Sequence, residues 1–184
     1  MWIIVLKYRK GQGKINLGRS KLLLSTSPKG GYAMTTNINF EQLEKDAVEI
    51  FTSGFACSES VIYTIRKHFE VDIPDEAIAM SSGFPWGLGG AGCICGALAG
   101  ATMCIGYFFG RTTPGDPKIS RCFEITNEFA DEFKKAFGAS CCRVLIKGME
   151  RNSPERKAHC IEMVTFTVKK LSEILIRELE KDNV

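Results

Sequence analysis

The sequence predicts an all-α protein, a compact bundle of about six helices around a buried central helix rich in Gly, Ala and Cys. Apolar residues recur at helical spacing in most segments of residues 38–181, and this part contains no run that alternates between polar and apolar residues. Residues 77–110 contain no charged side chain. With 184 residues, 45% of them hydrophobic and 24% charged, the chain can bury a large core, and wholesale disorder is excluded.

The first 34 residues differ in composition from the rest of the chain. They hold seven basic residues and no acidic one, whereas the remaining 150 hold 17 basic and 21 acidic residues, a net charge of −4. We expect residues 1–34 to be a basic leader, either disordered or a start-site artefact with Met34 as the working initiator, the alternative being a targeting segment. Residues 35–184 are expected to form a single helical, cysteine-rich domain, whose mildly acidic charge argues against a nucleic-acid partner.

Two amphipathic helices are predicted at the start of this domain. Apolar residues recur every three or four positions from Phe40 to Phe51, and Gly54 stops this helix. A second helix is expected over residues 56–69, where Cys57 belongs to the apolar stripe.

The uncharged segment begins with a short helix over about residues 74–80, since Pro74 suits a first helical turn. A glycine-rich loop is predicted over residues 83–92, followed by a helix over 93–109 that is buried on all sides. Its glycines recur every four residues, which lets a neighbouring backbone approach closely. The segment exceeds the ~20 residues that cross a bilayer, but its glycines disfavour helix in the first half, and we expect no membrane span.

Three further helices are predicted after this segment. Asp116 is expected to cap a helix that begins at Pro117 and ends at Gly138. A short helix is expected between Ser140, as its cap, and Gly148. The last helix begins after Ser153 and runs to about residue 181.

Eight cysteines are an unusual count for such a chain, and none lies in the first 56 residues. They are Cys57, Cys93, Cys95, Cys104, Cys122, Cys141, Cys142 and Cys160. Their share of about 4% is below that of a disulfide scaffold, and no secretory signal is recognisable. We therefore expect a reducing, cytoplasmic location, in which clustered cysteines serve metal binding, redox chemistry or catalysis.

Two pairs of cysteines fall at predicted helix starts. Cys93 and Cys95 follow the glycine-rich loop directly, and Cys141 and Cys142 follow Ser140. A helix N-terminus favours negative charge and so lowers the pKa of a thiol. Because adjacent helical positions point in different directions, only one of Cys141 and Cys142 is expected to face a shared neighbour.

Other patterns are less informative. Residues 87–92 match the text G-x-G-x-x-G, but no strand precedes them, so a nucleotide site is not expected. His68 and His159 are expected to be surface histidines with satisfied hydrogen bonds rather than partners of a nucleophilic cysteine. Cys104 and Cys122 are expected to pack as small apolar residues.

The segment 95–100, Cys-Gly-Ala-Leu-Ala-Gly after a glycine-rich loop, resembles the signature of the C_GCAxxG_C_C family of putative redox-active proteins. Further cysteines of the family correspond to Cys57 at a helix start, Cys142 in the context Phe-Gly…Cys-Arg-Val-Leu, and Cys160 in the last helix. The resemblance covers about residues 38–180. It implies a small all-helical protein, often encoded near oxidoreductases or transporters, with a redox role and no established reaction. The cysteines outside the pattern are Cys93, Cys104, Cys122 and Cys141.

The four family cysteines come from four predicted helices, and a bundle can bring them together. They are Cys57, Cys95, Cys142 and Cys160. The first hypothesis is a thiol–disulfide centre with Cys95 or Cys142 as the attacking thiolate, accessory to an oxidoreductase or transporter system. The second is a zinc or iron–sulfur site on the same four cysteines, with Cys93 and Cys141 in reserve. The third is a non-enzymatic helical interaction domain. The expected partner in the first case is an oxidoreductase or electron-transfer protein.

Overall fold

A computed structural model describes residues 34–182, and every regular element among them is helical. The helical segments in chain order are α1 (Phe40–Thr52), α2 (Cys57–Phe69), α3 (Asp75–Ser81), α4 (Pro85–Leu88), α5 (Gly96–Phe109), α6 (Lys118–Phe137), α7 (Cys142–Leu145) and α8 (Pro154–Lys181). Segments α4 and α7 are single turns of four residues, and the other six are the helices of the bundle. The predicted all-α class is confirmed. The leader predicted over residues 1–34 lies outside the described residues, apart from Met34.

Side-chain caps begin the first and last helices. The Asn39 side chain accepts a hydrogen bond from the Gln42 N–H at 3.0 Å, where α1 begins. The predicted start of α8 is confirmed, because the Ser153 hydroxyl accepts from the Arg156 N–H at 3.2 Å. Each cap satisfies one of the N–H groups that a helix leaves without an internal partner at its start.

Helix α5 is the centre of the bundle and packs against α2, α6 and α8. Nine of its 14 residues are buried. The predicted burial on all sides is wrong towards the end of the helix, where Tyr107 is 45% exposed. The predicted close approach of backbones is confirmed. A Cβ built on Gly100 would lie only 2.7 Å from the Ser58 carbonyl oxygen of α2, so α5 and α2 can cross at this distance only because position 100 has no side chain.

The helix boundaries differ from prediction in the region around the cysteines. Helix α5 begins at Gly96 rather than Cys93, with Cys95 as its N-cap residue. Helix α7 begins at Cys142, so Cys141 rather than Ser140 takes the N-cap position. In both places the backbone before the helix is extended, because it pairs with the other segment instead of coiling.

Two smaller differences concern loops. The predicted glycine-rich loop contains the helical turn α4, in which Trp86 adopts a left-handed φ of 63°. Helix α6 begins at Lys118, one residue later than predicted. The Asp116 carboxylate still accepts a hydrogen bond from the Lys118 N–H at 3.0 Å, so it stabilises the helix start from one position further out.

No helix in residues 34–182 combines the length and the apolar character that crossing a bilayer would take.

Replacing Gly100 with alanine tests the close crossing of α5 and α2. We expect Gly100→Ala to lower the free energy of unfolding by about 1–3 kcal/mol, since the new methyl group meets the backbone of α2. Urea unfolding followed by circular dichroism measures the change. The control is Gly106→Ala in the same helix, where a Cβ would meet nothing within 4 Å. The control should raise the stability by up to about 1 kcal/mol, because alanine favours helix over glycine. Equal effects of the two substitutions would contradict the crossing.

Candidate functional site

A cavity of about 360 Å³ lies beside the N-terminal ends of several helices. Four of the eight cysteines line it: Cys57, Cys95, Cys142 and Cys160. They come from the first turn of α2, the N-cap of α5, the first residue of α7 and the second turn of α8. The structure thus brings together the four cysteines on which the family resemblance rests.

Gly96 leaves the space that the Cys57 sulfur fills. A Cβ built on Gly96 would collide with Cys57 Sγ. Cys95 places its thiol at the N-cap of α5, and the next residue, Gly96, leaves room for the Cys57 thiol. The Cys-Gly pair at the start of α5 therefore builds one wall of the cavity.

Burial sets the protonation state of the Cys57 and Cys95 thiols. It raises the pKa of Cys57 to about 12, and negative charge on Cys95 or Cys160 raises it further. Burial also raises the pKa of Cys95 to about 11, although the backbone N–H groups of Leu98 and Ala97 at the start of α5 oppose the rise. Both thiols are therefore protonated at neutral pH.

Cys142 and Cys160 face a cation. Burial raises the pKa of each, and the Arg156 guanidinium opposes the rise at both. At Cys142 only burial raises the pKa, whereas at Cys160 the charge of Cys142 adds to it. Arg156 thus offsets part of the effect of burial at both thiols, and at Cys142 no neighbouring thiolate adds to that effect.

Arg156 is a buried cation without a carboxylate partner. Its exposed fraction is 6%, and it takes part in no ion pair within residues 34–182. Its Nη1 donates to the Arg151 carbonyl, while its Nε has no hydrogen-bond partner in this part of the chain. The guanidinium lies over the ring of Trp86, with Cζ 3.5 Å from the ring centroid. An unpaired buried charge is costly, so an anion in the cavity, such as a thiolate, is stabilised by this side chain.

Trp86 holds this cation in place from the turn α4. Its ring also lies under Arg151, with Cζ 4.5 Å from the centroid. Its left-handed backbone costs on the order of 1 kcal/mol, as is common for residues that form a site. The two cation–π contacts offset part of that cost.

Neither Arg156 nor Trp86 was identified from the sequence. A signal for Arg156 exists, because it precedes Cys160 by four residues in the helix that begins after Ser153, which places both on one face. Trp86 follows Pro85, a residue that favours the first position of a helical turn, but its role depends on contacts with a distant segment.

Within the described residues no group of three or more His, Cys, Asp or Glu side chains is arranged to hold a metal ion. Metal ligation needs thiolates, so a metal ion that bound here would have to displace the protons of Cys57 and Cys95, whose pKa burial raises.

The remaining cysteines lie elsewhere. Cys104 and Cys122 are buried in the hydrophobic core, with exposed fractions of 1% and 8%. Cys93 and Cys141 are not part of the cavity lining, and their sulfur atoms lie 2.6 Å apart.

The two histidines also lie away from the cavity lining. His159 faces Glu162 at 3.4 Å. His68 is less exposed than predicted, with 11% of its side chain accessible, but its predicted hydrogen bonding is confirmed. His68 Nε2 lies 2.7 Å from a carboxylate oxygen of the buried Asp46, which Lys67 also contacts.

The comparisons with known proteins agree with the resemblance. The family model described as "Putative redox-active protein (C_GCAxxG_C_C)" matches residues 55–174, a segment that includes all four cavity cysteines. No curated protein and no solved structure matches the chain.

The raised pKa of Cys57 predicts a dependence of stability on pH. The unfolded chain loses this proton near pH 8.5, whereas the folded chain keeps it to about pH 12, so stability falls as pH rises through this interval. Above about pH 9.5, Cys57→Ala should remove up to about 1.4 kcal/mol of this fall per pH unit. Urea unfolding in the presence of a reductant measures it.

Val61→Ala is the control, because Val61 lies in the same helix, is fully buried and does not titrate. It should lower the free energy of unfolding equally at every pH. The same pH dependence in both variants would show that the Cys57 thiol is not held in its protonated form.

Proposed function

Because the chain belongs to the C_GCAxxG_C_C family of putative redox-active proteins, we propose that its four-cysteine cavity carries out thiol–disulfide chemistry. One observation supports this most strongly: four thiols from four helices and a buried, unpaired guanidinium line the same cavity. Cysteines that merely pack do not need a cation beside them, so an interaction domain with inert thiols gives no reason for Arg156.

In this proposal Cys142 is the attacking thiol and Cys95 is the resolving thiol. The thiolate is the nucleophile, and Arg156 favours the thiolate of Cys142. Cys95 has a pKa of about 11 and is protonated at neutral pH, which suits the second step. Charge on Cys142 raises the pKa of Cys95, so the two sulfur atoms are within electrostatic reach of each other.

The reaction is a two-electron exchange. The Cys142 thiolate attacks one sulfur of a disulfide, a mixed disulfide forms, and the other sulfur leaves as a thiolate that takes a proton from solvent. The Cys95 thiol then loses its proton to solvent and attacks the Cys142 sulfur, which releases the second substrate thiolate. The substrate disulfide is reduced to two thiols, and the protein gains the Cys95–Cys142 disulfide. A dithiol partner that runs the same steps in reverse restores the reduced protein.

Cys57 and Cys160 extend this exchange to a second pair. Both thiols line the same cavity, and negative charge on Cys160 raises the pKa of Cys57 and of Cys95. An attack by either one on a Cys95–Cys142 disulfide moves the bond within the cavity without net oxidation. The four thiols therefore act as one group of reductants, because a disulfide between two of them can move to another pair.

The proposed substrate is a small disulfide or an extended peptide. A cavity of about 360 Å³ is within the range of small-molecule sites and is too small to admit a folded domain. We further propose that the chain serves an oxidoreductase or transporter system in the cytoplasm, where the glutathione pool keeps thiols reduced.

Replacing Cys95 with serine tests the order of the two thiols. In a background that carries Cys57→Ser, Cys93→Ser, Cys141→Ser and Cys160→Ser, the aromatic disulfide 5,5′-dithiobis(2-nitrobenzoic acid), at about one equivalent per chain, should release about two equivalents of chromophore, because Cys95 resolves the first adduct. With Cys95→Ser added, about one equivalent should be released, and the adduct should remain on Cys142 in the mass spectrum.

The matched control is Cys104→Ser, which removes a thiol buried in the core and should leave the release unchanged. An adduct that is still resolved in the Cys95→Ser protein would contradict the role of Cys95. Stoichiometric zinc or iron in the anaerobically purified protein, with all four cavity thiols unreactive, would favour the metal hypothesis instead.

A further inference from the structure

A second pair of thiols lies outside the four-cysteine cavity. Cys93 Sγ and Cys141 Sγ are 2.6 Å apart, although 48 positions separate them in the chain. Both are free thiols, and Cys93 is exposed to solvent. Neither belongs to the pattern of the family resemblance or to the cavity lining.

The backbone around the pair is held by hydrogen bonds on both sides. The Cys95 N–H donates to the Ser140 carbonyl at 2.8 Å, and the Arg143 N–H donates to the Gly92 carbonyl at 2.9 Å. The Arg143 side chain also donates to the Ala91 carbonyl. The end of the glycine-rich loop and the start of α7 are thus paired as two short extended segments, so the two thiols meet without any movement of the backbone.

The loop packs against α7 too closely for a side chain at Gly92. A Cβ there would lie 2.9 Å from the Arg143 Cβ and 2.7 Å from its Nε. This contact fixes the register of the two segments independently of the hydrogen bonds. Packing and hydrogen bonding therefore both place Cys93 beside Cys141.

We propose that Cys93 and Cys141 form a reversible disulfide that fastens the glycine-rich loop to the start of α7. Cys93 and Cys141 are each within two positions of a cavity cysteine in the chain. Cys95 and Cys142 line the cavity, whereas Cys93 and Cys141 lie outside its lining on the same two segments. This disulfide would hold the cavity wall in register and would leave the four cavity thiols free, so it stands apart from their proposed function.

The oxidant is a small disulfide of the glutathione type. The Cys93 thiolate, the more accessible of the two and close to the Arg143 guanidinium, attacks one sulfur of this disulfide and releases a thiolate. Cys141 then loses its proton to solvent and attacks the Cys93 sulfur, and the second thiolate leaves. Two electrons pass from the protein to the small disulfide, which becomes two thiols, and the reverse exchange restores the pair.

Peptide mapping of the full chain tests the proposal. Trypsin releases residues 68–111, which contain Cys93, and residues 136–143, which contain Cys141. After exposure to oxidised glutathione and blocking of free thiols, we expect these two peptides to be joined. The link should persist in Cys95→Ser/Cys142→Ser protein. It should be lost when Cys93→Ser or Cys141→Ser is added to this double variant, in which Cys95 and Cys142 can no longer join the same two peptides. Fragment ions of the joined wild-type peptides should place the bond at residues 93 and 141, which gives the same answer if the double variant does not fold.

Three outcomes would overturn the proposal. One is a wild-type link that fragment ions place at Cys95 and Cys142 alone. Another is a link that survives when Cys93→Ser is added to the Cys95→Ser/Cys142→Ser protein. The last is full alkylation of Cys93 and Cys141 after the oxidation. The reaction of the cavity thiols is measured independently of this disulfide, because Cys93→Ser/Cys141→Ser protein should keep its reactivity towards the aromatic disulfide.

Discussion

The close crossing of α5 over α2 is the contact on which the site depends. Gly100 lets the backbone of α5 lie against Ser58, and Gly96, one turn earlier, leaves the space for the Cys57 sulfur. Together they bring the N-terminus of α5, with Cys95 as its cap, beside the first residue of α2. A methyl group at either glycine would separate the two helices at the point where two of the four thiols meet.

The cavity divides its thiols into two kinds by their surroundings. Burial raises the pKa of Cys57 and Cys95, so these two thiols keep their protons far above neutral pH. At Cys142 and Cys160 the Arg156 guanidinium opposes the rise in pKa that burial causes, because its charge stabilises a thiolate that is removed from water. Thiol exchange needs this asymmetry, since one sulfur must ionise first and another must wait for the mixed disulfide. The same guanidinium has no carboxylate to neutralise it within the described residues, so its charge is available to the cavity.

Local patterns in the sequence predict the helices because the causes are local. The caps and turns around Ser153 and Gly138 are set by residues within a few positions, and apolar periodicity shows which face of each helix is buried. Helix α5 could likewise be recognised as the core helix from its lack of charge. Its start was predicted too early because Cys93 pairs with a distant segment, and that contact leaves no local trace.

The site could be predicted only as a set of cysteines. The spacing around Cys95 and the family pattern single out four of eight thiols, but they do not reveal the turn at Trp86 or the cation that it carries. Arg156 looks in the sequence like an ordinary basic residue in the first turn of a helix. Its importance comes from burial against an aromatic ring that precedes it by 70 positions.

The pH dependence of Cys142 alkylation tests most directly whether the buried cation makes the cavity reactive. In the Cys93→Ser/Cys141→Ser background, iodoacetamide labelling at this residue, followed by peptide mass spectrometry, gives the thiol pKa. Arg156→Met should shift the midpoint to higher pH, and each unit of the shift lowers the rate at neutral pH about tenfold. Lys169→Met removes an exposed cation of the same helix that lies outside the cavity lining, and it should leave the midpoint nearly unchanged. Identical midpoints in wild-type and Arg156→Met protein would contradict the account.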